Sequence, residues 1–465
     1  MAVYMCVVCD TTYDEEKEGT MWDQLADDWS CPVCESAKSH FRLVRDSNTT
    51  PRRLEGEEVA GPEEPPRVSD LETLMVDIHE MATTGRSIIE PMRTRTPTFS
   101  WDDILVKGAQ LAKIPLNEQE PVNSRTVIGP KAKQPLVIES PIYITHMSFG
   151  ALSKEAKLAL AKGSAAAKTA MSSGEGGILP GSLASAYKYI FEYVPNKYSA
   201  TEENLKAVDA IDIKIGQSAK PGMGGHLPAE KVTREIARIR GVTGGQDVIS
   251  PAHFEDIRSK EDLKRTVESL RETSNGKPVG IKFAAGNVEA DLEVALYADP
   301  DFITIDGRAG GTGAAPKFVK AATSVPTMFA LHRARRFLDE KGITDVSLVI
   351  TGGLRVSSDF AKALAMGADA VAIGTSALMA IGCRQYRMCN TGKCPTGITT
   401  QDASLRRKLD PEKASRGLEN FLKVSTDEIK DFARLTGNDD VHKLVVGDLC
   451  TTCSEISGHT GIEHV

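Results

Sequence analysis

At 465 residues the chain exceeds one domain of ordinary size, and its 41% hydrophobic content can supply a sizeable core. A formal charge of −8 with no clustered run of Lys and Arg argues against a nucleic-acid or anionic-membrane binder, because both reward concentrated positive charge. The start MAVYMCVVCD lacks the basic-then-apolar pattern of a secretory leader, and Asp369 interrupts the longest apolar run, residues 363–383. Nine cysteines in such a chain point to metal sites in a reducing compartment, so a cytoplasmic location is expected.

Residues 1–44 contain Cys6-x-x-Cys9 and Cys31-x-x-Cys34, two knuckles that can close one four-thiolate site. The 21 residues between the pairs fall just beyond the usual zinc-ribbon spacing, so zinc and iron both remain in view. The flanking runs YMCVVC and DDWSCPVCESAKSHF resemble rubredoxin, with Tyr4, Tyr13, Trp22, Trp29 and Phe41 available as an aromatic core. That resemblance implies a mononuclear iron that passes single electrons. The loop between the knuckles is shorter than in most rubredoxins.

Residues 45–68 are polar, contain four prolines and show almost no apolar periodicity, which predicts a solvated tether. A tether raises the effective concentration of one redox centre at another, so the chain reads as an electron donor joined to its acceptor. Residues 69–465 form the remaining domain. Its lead-in, LETLMVDIHEMATTGR, has helical period, and no chemistry is assigned to it.

From residue 135, short β-branched runs alternate with helical ones: PLVIES, PIYITHMSFG, IDIKIGQ, QDVISP, PVGIKFAAG, DFITIDG, SLVITGG and AVAIGTS are the expected strands. Such alternation predicts an α/β fold, a (β/α)8 TIM barrel with its active site at the C-terminal ends of the strands. No GxGxxG follows any strand, so no dinucleotide site of its own is expected. Gly352 and Gly353 after one strand, and Gly374 and Thr375 after the next, let backbone N–H groups approach a phosphate-bearing cofactor.

Beyond the last strand, GCRQYRMCNTGKCPTGITTQ sets Cys383, Cys389 and Cys394 at spacings of five and four residues. Three soft thiolates are one short of a structural zinc site and suit an iron–sulfur core. This run resembles the cluster loop of the glutamate synthase FMN domain. The segments HMSFGALS, SSGEGG, IKIGQSAKPGMGG, GIKF and IDGRAGGTGAAP also match that family in order, over about residues 85–440.

The resemblance implies a [3Fe-4S] cluster on Cys383, Cys389 and Cys394, or a [4Fe-4S] cluster if a fourth ligand exists. It also implies FMN at the barrel mouth, with Met147, Ser148, Gly150, Gln217, Gly311 and Thr312 around it. Gly352, Gly353, Gly374 and Thr375 would surround its phosphate, and Lys282 would lie near the N1–C2 edge of the ring. Lys220 and Arg240 would hold a dicarboxylate, Gln217 would lie beside flavin and substrate, Glu175 would orient the amino group or relay its proton, and Lys214 would belong to the same catalytic set. Lys214 also reads as a plain barrel-interior ion pair, and Arg240 as an exposed helix-end residue.

Two departures stand out. The family's glutaminase domain is not expected here, since Ala2 and rubredoxin-like sequence stand where its nucleophilic cysteine would lie. Its paired histidines are replaced by Phe254 and Glu255, with His253 one place earlier. The leading expectation is an oxidoreductase that makes an amino acid, L-glutamate foremost, from a 2-oxo acid and ammonia or an amine. Electrons would come from an external reductase or a ferredoxin-like donor, and ammonia from solution or a separate glutaminase subunit. An amine transfer like that of N-methylglutamate synthase and a rubredoxin-linked electron carrier without an amino-acid substrate are the alternatives. Cys450 and Cys453 could supply the fourth cluster ligand, act as a redox dithiol, or do neither.

Overall fold

The computed structural model describes residues 2–9, 11–46 and 72–465. Two compact units are present, Met1–Arg86 and Ser87–Val465. From residue 47 onward the expected tether lies outside the described residues, while residues 45 and 46 complete the strand Phe41–Asp46.

The first unit is built on a three-stranded antiparallel sheet in which Ala2–Cys6 lies between Thr12–Asp14 and Phe41–Asp46. An apolar core this small relies on large rings, and Trp22 stacks on Tyr4 at 4.3 Å and meets Tyr13, Trp29 and Phe41 at 5.0–5.4 Å. The helical period of LETLMVDIHEMATTGR appears as the helix Met75–Thr84, closed by Gly85 in the left-handed region (φ 62°).

The second unit is a closed barrel of eight parallel strands. In chain order they are Ile142–Ile144, Ala170–Ser172, Lys188–Tyr193, Ala210–Lys214, Val279–Ala284, Phe302–Asp306, Ser347–Thr351 and Ala370–Ile373. Two expected strands fall outside it. PLVIES supplies Leu136–Ile138, which pairs antiparallel with Thr126–Ile128, and QDVISP supplies Val248–Ile249, which pairs with His226–Leu227. The second and third barrel strands, AMS and KYIFEY, take their places. The first is too short to stand out by pattern, and the second carries a lysine and a glutamate that break an apolar run.

Alternation along each strand decides what enters the barrel. Tyr143, Ile190, Ala210, Phe302, Val349 and Ala370 form one buried cluster with Ile128, Leu136 and Ile138 of the hairpin, which therefore plugs the barrel's N-terminal end. Two residues further along the same strands carboxyl groups enter the interior: Glu192 follows Ile190 and Asp212 follows Ala210. Thr304 Oγ1 donates to Asp212 Oδ2 at 3.0 Å, and Lys282 Nζ lies 3.1 Å from Glu192 Oε1. Both contacts join non-adjacent strands, which they can do only across the interior. Outside, the helix Pro411–Leu435 packs along Lys154–Ala166, and the strand Leu449–Thr451 pairs with Ile104–Val106. Among the described residues no helix is long and apolar enough to cross a membrane.

Candidate active site and metal centres

In the first unit, the sheet and the turn residues 31–36 bring two knuckles face to face. Cys6, Cys9, Cys31 and Cys34 have their sulfurs within 4.8 Å of one another, with Cys6–Cys34 and Cys9–Cys31 both at 3.6 Å. Metal–sulfur bonds of about 2.3 Å in a tetrahedron require edges of about 3.8 Å, so this donor set fits one thiophilic ion. Burial pushes the Cys9 thiol up to about 12. At Cys34 burial acts the same way, but hydrogen bonds from Ser36 outweigh it and bring the thiol down to about 7.

In the second unit, a cavity of about 330 Å³ opens at the C-terminal ends of the barrel strands. Its wall contains Met147 and Ser148 after the first strand, Glu175 after the second, and Lys214, Gln217 and Lys220 at and beyond the fourth. Arg240, Lys282, Gly311, Thr312, Gly352, Gly353, Gly374, Thr375 and the cysteines Cys383, Cys389 and Cys394 complete the expected set. Gly150 alone stands off the wall. Its φ is 113°, and a Cβ there would meet Leu227 at 2.9 Å and Arg240 at 3.0 Å, so this glycine makes room for the neighbouring loop. At Gly352 (φ 118°) a Cβ would lie 2.3 Å from the Gly307 carbonyl, which leaves bare backbone against the cavity. That glycine-lined wall, with buried Lys282 also on it, fits a flat anionic cofactor such as FMN.

Charge in this cavity is arranged in pairs. Lys214 Nζ donates to Glu175 Oε2 at 2.5 Å. Burial alone would raise the Glu175 carboxyl, but Lys214 outweighs it and holds the group below the usual carboxylate range. Burial would likewise raise Glu192, which Lys282 holds well down. Lys220 and Arg240 are each 8% exposed and, among the described residues, have no carboxylate within ion-pair distance. Lys220 donates to the Gly224 carbonyl at 2.9 Å, and Arg240 Nη2 to the Phe149 carbonyl at 2.9 Å, with Arg240 Nε buried and unpartnered. Asp306 holds the loop that carries Gln217 and Lys220, accepting from Ser218 N at 3.0 Å and Ser218 Oγ at 2.7 Å. Two buried cations with spare donors on one cavity can pair with an anion.

Behind the wall lie residues that sequence reading missed. Lys157 donates to the carbonyls of Met147, Ser172 and Ser173, each at 2.9 Å, tying the ends of the first two strands together. The His146 side chain is 2% exposed; its Nε2 is 3.3 Å from Asp212 Oδ2 without hydrogen-bond geometry, and burial pushes the imidazole down to about 3. Glu192 and Asp212 had a signal, a carboxylate inside a β-branched run. Lys157, in an alternating helix of alanines and lysines, had none.

The cysteine loop is sewn to the cavity. Gln401 donates to the carbonyls of Gly150 at 3.1 Å and Leu152 at 2.9 Å, while Lys231 Nζ donates to the Cys389 carbonyl at 2.7 Å. Burial raises the thiols of Cys383, to about 11, and Cys389. For Cys394 the Thr396 and Thr399 hydroxyls overcome burial and lower it. Among the described residues these three sulfurs do not crowd within 4.8 Å as the first four do. Wider spacing suits a polynuclear core, in which each thiolate meets a different iron. Cys450 lies in a strand registered with Leu105 and Glu463, and neither it nor Cys453 is on the cavity wall. His253 and Glu255 are likewise off that wall, and Phe254 stacks on Tyr193 at 5.6 Å.

Residues 95–439 match the family model described as the conserved region in glutamate synthase, and residues 3–41 match that of rubredoxin. The chain is 38% identical over 400 residues to a Methanocaldococcus jannaschii protein named archaeal glutamate synthase (NADPH), covering 79% of this chain and 78% of that one. Over 416 residues it is 36% identical to the glutamate synthase large subunit-like protein of Rhizobium meliloti, covering 85% and 94%. A solved mutant of an (S)-mandelate dehydrogenase chimera superposes with a TM-score of 0.50 at 14% identity, covering 76% of this chain and 88% of that one, a likeness of fold alone.

Proposed function

We propose, from the premise that this chain belongs to the glutamate synthase family, that it forms an amino acid, L-glutamate foremost, from a 2-oxo acid and ammonia or an amine. Membership itself makes the chain an FMN-dependent oxidoreductase acting on CH–NH2 groups, with an iron–sulfur cluster and a mononuclear rubredoxin-type iron. We assign the iron to Cys6, Cys9, Cys31 and Cys34 and the cluster to Cys383, Cys389 and Cys394. FMN is assigned to the cavity lined by Met147, Ser148, Lys282, Gly352, Gly353, Gly374 and Thr375.

The observation that carries the substrate reading is the pair of buried cations, Lys220 and Arg240, which have no carboxylate within ion-pair distance among the described residues and share the wall with Glu175 and Lys214. In this reading Lys220 and Arg240 bind the carboxylates of the oxo acid and fix its carbonyl carbon toward the flavin position. The ionised Glu175, steadied by Lys214, holds the ammonia or imine nitrogen and accepts or returns its proton. Bound FMN supplies hydride chemistry, while the cluster and the mononuclear iron supply one-electron steps. Lys282 would place a fixed positive charge beside bound FMN, where it would favour the anionic reduced form.

Residues 1–44 act as the electron intake in this reading, 45–68 as the tether and 69–465 as the catalytic domain, all in a reducing cytoplasm. The intake draws on an external reductase or a ferredoxin-like donor, and ammonia comes from solution or a separate glutaminase subunit.

Anaerobically reduced protein, mixed with 2-oxoglutarate, with ammonium and with both, tests this reading. Flavin reoxidation is expected only with both. Reoxidation by neither combination, or equally by the acid alone, would overturn it.

A further inference from the structure

Lys231 is a buried cation that the reaction described above does not use. It ends a short turn, Ala229–Lys231, in the loop that follows the fourth barrel strand, and is 5% exposed. Its ammonium has three donors, and among the described residues its hydrogen-bond acceptor is the Cys389 carbonyl at 2.7 Å. Among the described residues no carboxylate within ion-pair distance neutralises it, whereas buried Lys282 has Glu192 at 3.1 Å and buried Lys320 has Glu90 at 2.9 Å. Its stem runs along the stretch between the second and third cysteines, where a Cβ on Gly392 would lie 3.4 Å from Lys231 Cε. The charges it faces are those of Cys389 and Cys394, with Glu230 beside it in the turn.

A lone ammonium held this far from water is costly unless an anion compensates it. Three thiolates around an iron–sulfur core make a dianion or trianion, and one-electron reduction adds another negative charge. A fixed cation in a low-dielectric setting stabilises the reduced core more than the oxidised one. We infer that Lys231 is the counter-cation of the iron–sulfur cluster and raises its reduction potential, an inference that rests on Cys383, Cys389 and Cys394 being the cluster ligands. Lys231 also lines the cavity, so its charge acts between the substrate chamber and the cluster loop.

Full-length Lys231→Met, Lys231→Gln and Lys231→Arg proteins, purified without air, are compared by iron and sulfide content, FMN content and EPR-monitored titration with dithionite. The neutral variants are expected to keep FMN and to show a cluster midpoint shifted to lower potential, while Lys231→Arg stays at the wild-type value. Loss of the cluster from both neutral variants with retention in Lys231→Arg also supports a counter-cation. A wild-type midpoint in either neutral variant, an arginine variant displaced as far as methionine, or loss of the cluster from all three would overturn the inference. A Cys389→Ser protein separates the two levels: an unchanged cluster spectrum there removes the ligand assignment itself.

Discussion

Lys220 and Asp212 show how one fold uses burial in opposite ways. Among the described residues Lys220 has a carbonyl but no carboxylate within ion-pair reach, so its charge can meet an anion in the cavity. A charge-assisted hydrogen bond contributes roughly 1.5–3 kcal/mol, so Lys220→Ala should weaken apparent 2-oxo acid binding by about 10- to 150-fold. FMN content should not change, and steady-state titration with the acid measures the effect; unaltered dependence would make this lysine structural. Asp212 is buried beside Glu192, His146 and Lys282, and burial pushes its carboxyl from 3.8 up to about 7. Between those values the folded chain keeps a proton that the unfolded chain has released, so stability falls as pH rises through that window and levels off above it. The full effect is on the order of 4 kcal/mol. Asp212→Asn keeps an acceptor for Thr304 and removes the titration, so its melting temperature should decline less than wild type between pH 5 and pH 7. Equal slopes would place the proton elsewhere.

At the scale of elements, the cavity depends on how a few segments are pinned. Lys154–Ala166 carries Lys157 and is itself held by Pro411–Leu435. At their crossing a Cβ on Gly163 would meet Leu418 Cβ and the Ser415 carbonyl, both at 2.8 Å. Backbone cannot yield as a flexible side chain can, so Gly163→Ala should cost about 1–3 kcal/mol and lower the melting temperature. Because Lys157 anchors the Met147 segment, FMN should also leave this variant at lower denaturant than it leaves wild type; an unchanged release midpoint would disconnect the helix from the site. The cysteine knuckles and the cysteine loop were legible because their ligand spacing is local. KYIFEY was not, because a charged residue pointing into a barrel has the same sequence signature as one pointing to water.

Over the whole molecule, the C-terminal tail is the segment whose role the two levels of reading treat differently. By spacing, Cys450 and Cys453 could reach the cluster. In the fold Cys450 is the middle of a strand hydrogen-bonded between Ile104–Val106 and Glu463–His464, and neither thiol is on the cavity wall. A Cys450→Ser, Cys453→Ser double variant should therefore keep the wild-type cluster type in Mössbauer and EPR spectra. Conversion to a different cluster signal would bring the tail back as a ligand.

The amino-acid sequence determined the four-cysteine site, the three-cysteine loop and the glycine-bearing strand ends, because each rests on residues close together in the chain, and it determined the α/β class because strand and helix patterns alternate along it. Tertiary structure alone decided which alternate residue of each strand faces the interior. Both faces of a parallel barrel are buried, so hydrophobic pattern does not mark the inner one. It also decided the partners of Lys157, Lys231 and Gln401. Lys231 lies 158 residues from Cys389 and Gln401 lies 251 from Gly150, and no local pattern records contacts made only when the barrel closes.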